Sequence, residues 1–296
     1  MNILLITADD LSYDFCNCYS CQIPNLTPNI DNLSRNGYRF DDAHANIGLC
    51  QPSRAVLLTG LYPWKNGAKG FNPIFDNITT LPEILHNNGY ATGIIGKTAH
   101  HQPIEKFQHD YIGKTHFAEP EIYYDKCKEF ITQNKTFSLI VNISHPHRPF
   151  PHEPFCSEAE IEVPGFLPDH PFVREELTHY YQGIHKCDKI VGKVIQCLQD
   201  TGNFNNTLII FTSDHGMPFP FMKANCYRFS THIPLIFRHP KIKPTVDNTL
   251  VAHVDFMPTI LDFLDIEKPA LDGQSYCPLF SSRQIDARHN LLTCLI

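Results

Sequence analysis

The chain has no run of basic residues, no long apolar segment and no internal repeat. The first absence argues against broad nucleic-acid binding, and a net charge of −7 argues the same way. No stretch approaches the roughly 20 apolar residues that a membrane span needs. The N-terminus, Met1-Asn2-Ile3-Leu4-Leu5-Ile6, enters an apolar strand with no basic region or cleavage site before it. As written, the chain is expected to be cytoplasmic. If the N-terminus is incomplete, the expectation changes to periplasmic, secreted or lysosomal. The missing repeat excludes a solenoid, and low-complexity sequence is missing too. Eleven cysteines, an odd number, are scattered without the spacing of a disulfide framework. Cys16, Cys18 and Cys21 cluster, but no fourth ligand stands at zinc spacing, so reduced thiols in a loop are expected. Asn-x-Ser/Thr triplets occur at Asn77-Ile78-Thr79 and Asn142-Ile143-Ser144, the second inside an apolar strand where the pattern carries little weight.

What is present is globular. With 296 residues, 42% hydrophobic and 19% charged, the chain is long enough for one large domain with a sizeable core. Residues 2–7 (NILLIT) form a continuous apolar run, the pattern of a parallel strand covered on both faces. Further strands are expected at 90–95, 137–143, 207–212 and 234–237. Helices are expected from Thr27-Pro28 to Gly37, over 50–60, from Leu81 to Gly89, over 121–133, over 172–200 and from Asp255 to Leu264. In the 121–133 helix, Ile122, Phe130 and Ile131 are assigned inward. Residues 149–171, rich in proline, phenylalanine and acids, read as a long functional loop. Alternating strands and helices predict an α/β fold: three α/β/α layers around a mainly parallel sheet. Such sheets place ligands beyond the C-terminal ends of their strands. Asp9-Asp10, Lys97, His147 and Asp214-His215 each follow an apolar strand closely.

Two clusters carry chemistry. Asp9, Asp10 and Asp214 offer carboxylates suited to calcium or magnesium, and His215 adds a nitrogen. A turn or a helix cap is the alternative for Asp9-Asp10 alone. The second cluster is Cys50-Gln51-Pro52-Ser53-Arg54, followed by Leu57-Leu58-Thr59-Gly60. Pro52 suits a first helical turn, so Cys50 falls at a helix N-terminus, where amide donors and the dipole favour an anion. Arg54, one turn on, adds fixed positive charge. A lone cysteine there would read as a buried structural residue.

The Cys-x-Pro-Ser-Arg string with Leu-Leu-Thr-Gly resembles the signature of the type I sulfatases, whose cysteine is oxidised to formylglycine. The resemblance covers nearly the whole chain. It includes Gly96-Lys97, Pro146-His147-Arg148, Ser213-Asp214-His215-Gly216 and Asp255-Phe256-Met257-Pro258. The heparan N-sulfatase and iduronate-2-sulfatase branches are the most similar. The resemblance implies an alkaline-phosphatase-like fold and a divalent cation, usually calcium with magnesium as the alternative. That ion would sit on Asp9, Asp10, Asp214, His215 and the modified Cys50. It implies that Lys97 and Lys223 offset sulfuryl charge, that His147 is the general acid and His100 the base, and that Arg54 holds the aldehyde. Many members place this histidine two residues after the lysine, where Ala99 stands here, so His100 rests on the Gly-Lys-x-x-His spacing of the iduronate-2-sulfatase branch, and His101 is its rival.

The implied activity is hydrolysis of a sulfate ester or sulfamate on a sugar or glycosaminoglycan fragment. The implied partners are that sulfated carbohydrate and a formylglycine-generating enzyme, with neither nucleic acid nor membrane, and with the oligomeric state open. The alternatives are a phosphoesterase or phosphonate-ester hydrolase of the same fold group, and a truncated non-catalytic domain. Residues 1–296 are expected to be the family's N-terminal catalytic domain, with its C-terminal subdomain largely absent after the string Leu292-Thr293-Cys294-Leu295-Ile296.

Overall fold

The computed structural model describes residues 1–294; Leu295 and Ile296, the last of the C-terminal string, lie outside the described residues. In chain order the strands begin with β1 (Asn2–Asp9), β2 (Tyr38–Phe40), β3 (Ala43–His44), β4 (Ala91–Gly96) and β5 (Tyr111–Lys114). They continue with β6 (Phe137–Pro146), β7 (Thr207–Ser213), β8 (Leu235–Arg238), β9 (Thr245–Asp247) and β10 (Val251–Ala252). The helices begin with α1 (Pro28–Arg35), α2 (Cys50–Thr59), α3 (Pro63–Asn66) and α4 (Leu81–Asn87). The others are α5 (Pro120–Gln133), α6 (Pro171–Asp200), α7 (Arg228–Thr231) and α8 (Phe256–Phe263).

Eight strands form one sheet in the order β5-β4-β6-β1-β7-β8-β2-β9, and β3 pairs with β10 apart from it. The centre is parallel, with β1 between β6 and β7. Only β8 runs against its neighbours β7 and β2. Every residue of β1, β6 and β7 is buried, as expected of mainly apolar central strands covered on both faces. Successive side chains leave a strand on opposite faces, so each central strand feeds two cores. Leu4, Ile6 and Ala8 pack with α1, α5 and α6, whereas Ile3 and Leu5 pack with α2, α4 and α8. This is the three-layer fold expected from the sequence. No helix of the described residues is long and apolar enough to cross a membrane. The described cysteines are all free, including Cys16, Cys18 and Cys21.

Several details differ from the sequence reading. Ile122 is 43% exposed, and Tyr123 takes the inward place. The buried stripe of α5 is Tyr123, Cys127, Phe130 and Ile131, spaced four, three and one apart, and Ile122 lies one position off it. The short strands β2, β3, β5, β9 and β10 were not anticipated. Two to four residues are too few for a period to register. The 149–171 loop holds one 3-10 turn, at Glu158–Glu160.

A contact between helices fixes α1 on the sheet. Thr27, at the N-cap position of α1, makes no side-chain cap bond. Asp188, buried in the middle of α6, replaces it. Its carboxylate accepts the Asn29 and Ile30 amides at 3.0 and 2.9 Å and the Asn29 side-chain amide at 2.7 Å. Asp188→Ala leaves these buried donors unpaired and should cost about 2–4 kcal/mol of stability in urea denaturation. Asp188→Asn keeps an acceptor and should cost clearly less.

Candidate active site

Strand register assembles the site before any side chain is considered. Thr7 of β1 is in register with Asn142 of β6 and Thr212 of β7. Thr7 and Asp9 leave β1 on the face covered by α2, the face of Ile3 and Leu5. Asp10 then has a φ of +69°, a left-handed conformation uncommon outside glycine, and the chain turns sharply after Asp9. The Asp10 amide donates to Asp214 Oδ1 at 3.0 Å, which ties the end of β1 to the end of β7.

Helix α2 starts at Cys50, and all ten of its residues are buried. It lays Arg54 across the strand ends. The guanidinium donates to Asp214 Oδ2 at 3.0 and 3.2 Å, and to Thr7 Oγ1 and Asn142 Oδ1 at 2.8 Å each. Thr7 donates its hydroxyl to Asn142 Oδ1 at 2.6 Å. Ser53, one residue earlier on α2, donates to the Asp214 carbonyl at 2.5 Å. Its oxygen accepts from Nδ1 of His253 at 3.0 Å.

Lys97 follows β4. Gly96 has a φ of +94°, and a Cβ there would lie 1.9 Å from the Asn142 carbonyl, so only glycine allows this approach. The Lys97 amide then donates to that same carbonyl at 2.9 Å, and its ammonium pairs with Asp9 Oδ2. Lys223, from the turn after β7, donates to both oxygens of Asp10 at 2.8 and 2.9 Å. His147, after β6, holds Nε2 3.9 Å from Asp10 Oδ2. His215 donates through Nδ1 to the Gly216 carbonyl at 2.9 Å. Its Nε2 therefore faces inward, 3.2 Å from Asp10 Oδ1 and 3.2 Å from Cys50 Sγ.

The two neighbouring histidines after Lys97 part company. His101 is buried against Phe107 and accepts from Asn142 at 3.3 Å. His100 lies 6.0 Å from the exposed ring of Phe71. Burial, then the charges of Lys97 and Arg54, lower its pKa to about 3, so it is neutral.

Three buried carboxylates at adjacent strand ends conflict electrostatically. Burial, followed by Asp214 and Asp10, pushes the Asp9 carboxyl well above its ordinary range. Asp214 goes the other way: against the upward push of burial, His215 and Arg54 hold it well below. The Cys50 thiol is driven well up by burial and then by Asp214, Asp9 and Asp10, so it stays protonated. Among the described residues, Asp9 Oδ1 is buried without a hydrogen-bond partner. Ligand atoms of Asp9, Cys50, Asp214 and His215 lie within 4.8 Å of one another, as do those of Asp9, Asp10, Cys50 and His147. An orphaned carboxylate oxygen among mutually repelling acids, with an imidazole nitrogen aimed at them, fits a divalent cation.

A family model described as Sulfatase matches residues 1–266. The chain belongs to the sulfatase family. N-sulphoglucosamine sulphohydrolase of Homo sapiens is 34% identical over 313 residues, a match covering 91% of this chain and 62% of that protein. This sulfatase chain thus spans less than two thirds of that relative. Among solved structures, the phosphonate monoester hydrolase of Silicibacter pomeroyi superposes with a TM-score of 0.80 at 18% identity, covering 96% of this chain and 77% of its own. A protein solved with its substrate D-glucosamine-2-N,6-O-disulfate gives 0.74 at 21% identity, covering 97% and 82%. At such identities the likeness establishes the alkaline-phosphatase-like fold alone.

The sulfatase signature at Cys50 and Arg54 drew attention to the residues that touch the pocket and away from those that hold them. Thr7, Asn142, Ser53 and His253 were missed. Asn142 and Thr7 had a signal, a polar residue inside an apolar strand, and Asn142 stood out only as a glycosylation triplet. Arg54→Ala strips Asp214 of a buried partner and should cost about 3–5 kcal/mol in urea denaturation. Arg54→Lys, which has no planar fork to span Asp214, Thr7 and Asn142 together, should recover only a minor part.

Proposed function

We propose that the chain hydrolyses a sulfate ester or sulfamate on a sugar, through formylglycine formed at Cys50. One observation carries this reading. The residue 50 side chain begins a buried helix and faces one cluster of carboxylates, with Lys97, Lys223 and Arg54 around it. The ligand groups near Cys50 all share Asp9, which favours one cation over the two close cations suited to phosphomonoesters. Residues 1–296 act in this reading as the catalytic domain.

The aldehyde hydrate supplies two hydroxyls, one to attack sulfur and one whose deprotonation expels sulfate. A cysteine has no second hydroxyl, and the Cys50 thiol is held protonated, so the unmodified chain should be nearly inert. Asp9, Asp10, Asp214 and His215 would hold the divalent cation, calcium by its oxygen-rich set and magnesium as the alternative, which supplies positive charge beside residue 50. In this reading the other residues take the roles that the family resemblance implies, and their geometry is consistent with them. Asp214, fixed by Arg54 and kept ionised, is placed to take a proton from the attacking hydroxyl. Lys97 and Lys223 are free to turn to the sulfuryl oxygens once the Asp9 and Asp10 charges are otherwise neutralised. Nε2 of His147 faces the pocket as general acid for the departing oxygen or nitrogen. His100 takes in this reading the role of the base that frees sulfate; burial and nearby cations keep its ring unprotonated, and so able to accept, while lowering its basicity.

A sulfated sugar suits fixed cations because sulfate stays anionic at any working pH. The likeness to N-sulphoglucosamine sulphohydrolase makes glucosamine N- and O-sulfates the first substrates to test. Co-expression with a formylglycine-generating enzyme should convert Cys50, read by peptide mass. The matured protein should release sulfate from those sugars or from an aryl sulfate, and Cys50→Ala should lose at least about a thousandfold. Cleavage of phosphonate esters without sulfate release would overturn this reading. Matured protein with neither activity would favour a non-catalytic domain.

The cation is testable apart from turnover. Calcium added to chelator-treated protein should bind at one site per chain by calorimetry and raise the melting temperature, by about 2.7 kcal/mol of stabilisation at a hundredfold excess over Kd. Asp9→Ala and Asp214→Ala should abolish both effects.

A further inference from the structure

His147 is held by a contact that the sequence motif does not reveal. Its Nδ1 lies 2.5 Å from the Arg148 carbonyl oxygen. A carbonyl only accepts, so Nδ1 carries the proton and Nε2 is the atom turned to Asp10. The segment is at the surface, and its backbone is tied where the His147 amide donates to the Ser144 carbonyl at 3.0 Å. A second anchor is the Arg148 side chain. The guanidinium lies 4.2 Å from the centroid of Phe150 and 5.4 Å from that of Phe219, and it donates to Glu176 of α6 at 2.5 Å. The two rings stack at 5.9 Å, and Tyr180 of α6 packs edge-on against Phe219 at 5.5 Å. The Tyr180 hydroxyl donates to the Asp10 carbonyl at 2.8 Å. Phe219 belongs to the turn that presents Lys223. One cation–aromatic clamp therefore joins the segments carrying His147, Lys223 and Asp10.

We propose that Arg148 is a positioning residue whose clamped guanidinium aims the carbonyl that holds His147 in its Nδ1–H tautomer, leaving Nε2 to the pocket. A planar cation is suited to this work, since it stacks on a ring and pairs with a carboxylate at the same time. The statement about the ring stands on geometry. Its catalytic meaning rests on the sulfatase reading above: with Nδ1–H held by the carbonyl, Nε2 is the atom that takes a proton from solvent and, in the imidazolium form, hands it to the leaving group.

The test is nitrogen NMR of the histidine rings in the purified chain without substrate, at a pH where His147 is neutral, with its signals assigned by their loss in His147→Gln. Wild-type protein should show the Nδ1–H tautomer. Arg148→Met should raise the Nε2–H population about fivefold, the worth of one ordinary hydrogen bond. Glu176→Gln, a change at the surface that should leave the fold intact, should raise it less, and Arg148→Lys should fall between Arg148→Met and wild type. An Nε2–H ring in wild type, or an unchanged ratio in Arg148→Met and Glu176→Gln, would overturn the proposal. In matured protein, Arg148→Met should lower kcat for an alkyl sulfate more than for an aryl sulfate, whose phenol departs with less help from an acid. Equal losses on the two substrates would overturn the catalytic part. Matured wild type that releases no sulfate would remove the sulfatase reading, and the tautomer ratio would still decide the clamp.

Discussion

Charge balance among buried acids is the constraint on which the rest of the site depends. Asp9, Asp10 and Asp214 are fully buried at the ends of two adjacent strands. Three carboxylates in such a space are tolerable only with compensating charge and donors. Arg54 provides part of this permanently, since its guanidinium cannot deprotonate and is locked by Thr7 and Asn142. Lys97 and Lys223 provide the remainder on long, flexible stems. The division matters for function. A locked cation organises the acids, and in the proposed reading the two lysines exchange an internal acid for the anion of the substrate.

The sheet carries this arrangement without specialised loops. Residues 7 and 9 of β1 share a face because side chains alternate, and β6 and β7 add Asn142 and Thr212 in register. The same face is covered by α2, so a single helix delivers Cys50, Ser53 and Arg54 to the strand ends. Second-layer contacts from Ser53 and His253 fix the Asp214 backbone from behind. Such supporting shells decide whether reactive groups meet within useful tolerance.

Much of this was legible in the chain, and what was not has physical reasons. Asp9, Asp10, Asp214 and His215 could be read because apolar strands end abruptly in acids and a histidine. Cys50 and Arg54 could be read because a local helix fixes their spacing. Asn142 and Thr7 could not be assigned to Arg54, because that pairing depends on which strands are neighbours and in which register. His100 and His101 are adjacent in sequence, and only the packing of Phe107 separates their directions. In α5, Ile122 and Tyr123 compete for one inward place, and an aromatic ring reaching the sheet wins over a smaller side chain at the helix margin. The clamp around Arg148 needed α6 beside the turn after β7, which no local pattern announces.

Burial of α2 has a temporal consequence. Cys50 is 3% exposed, its neighbours through Thr59 are all buried, and the helix is covered on the sheet side and by α8. No second protein can grip this segment in the folded chain. On the proposed reading, a catalyst that oxidises Cys50 would have to meet it while it is still extended, during synthesis or before the sheet closes over it. Occupancy of the oxidised form would then be a kinetic quantity, set by a competition between oxidation and folding. Two preparations of identical sequence and identical fold would differ in the oxidised fraction according to the speed at which they folded.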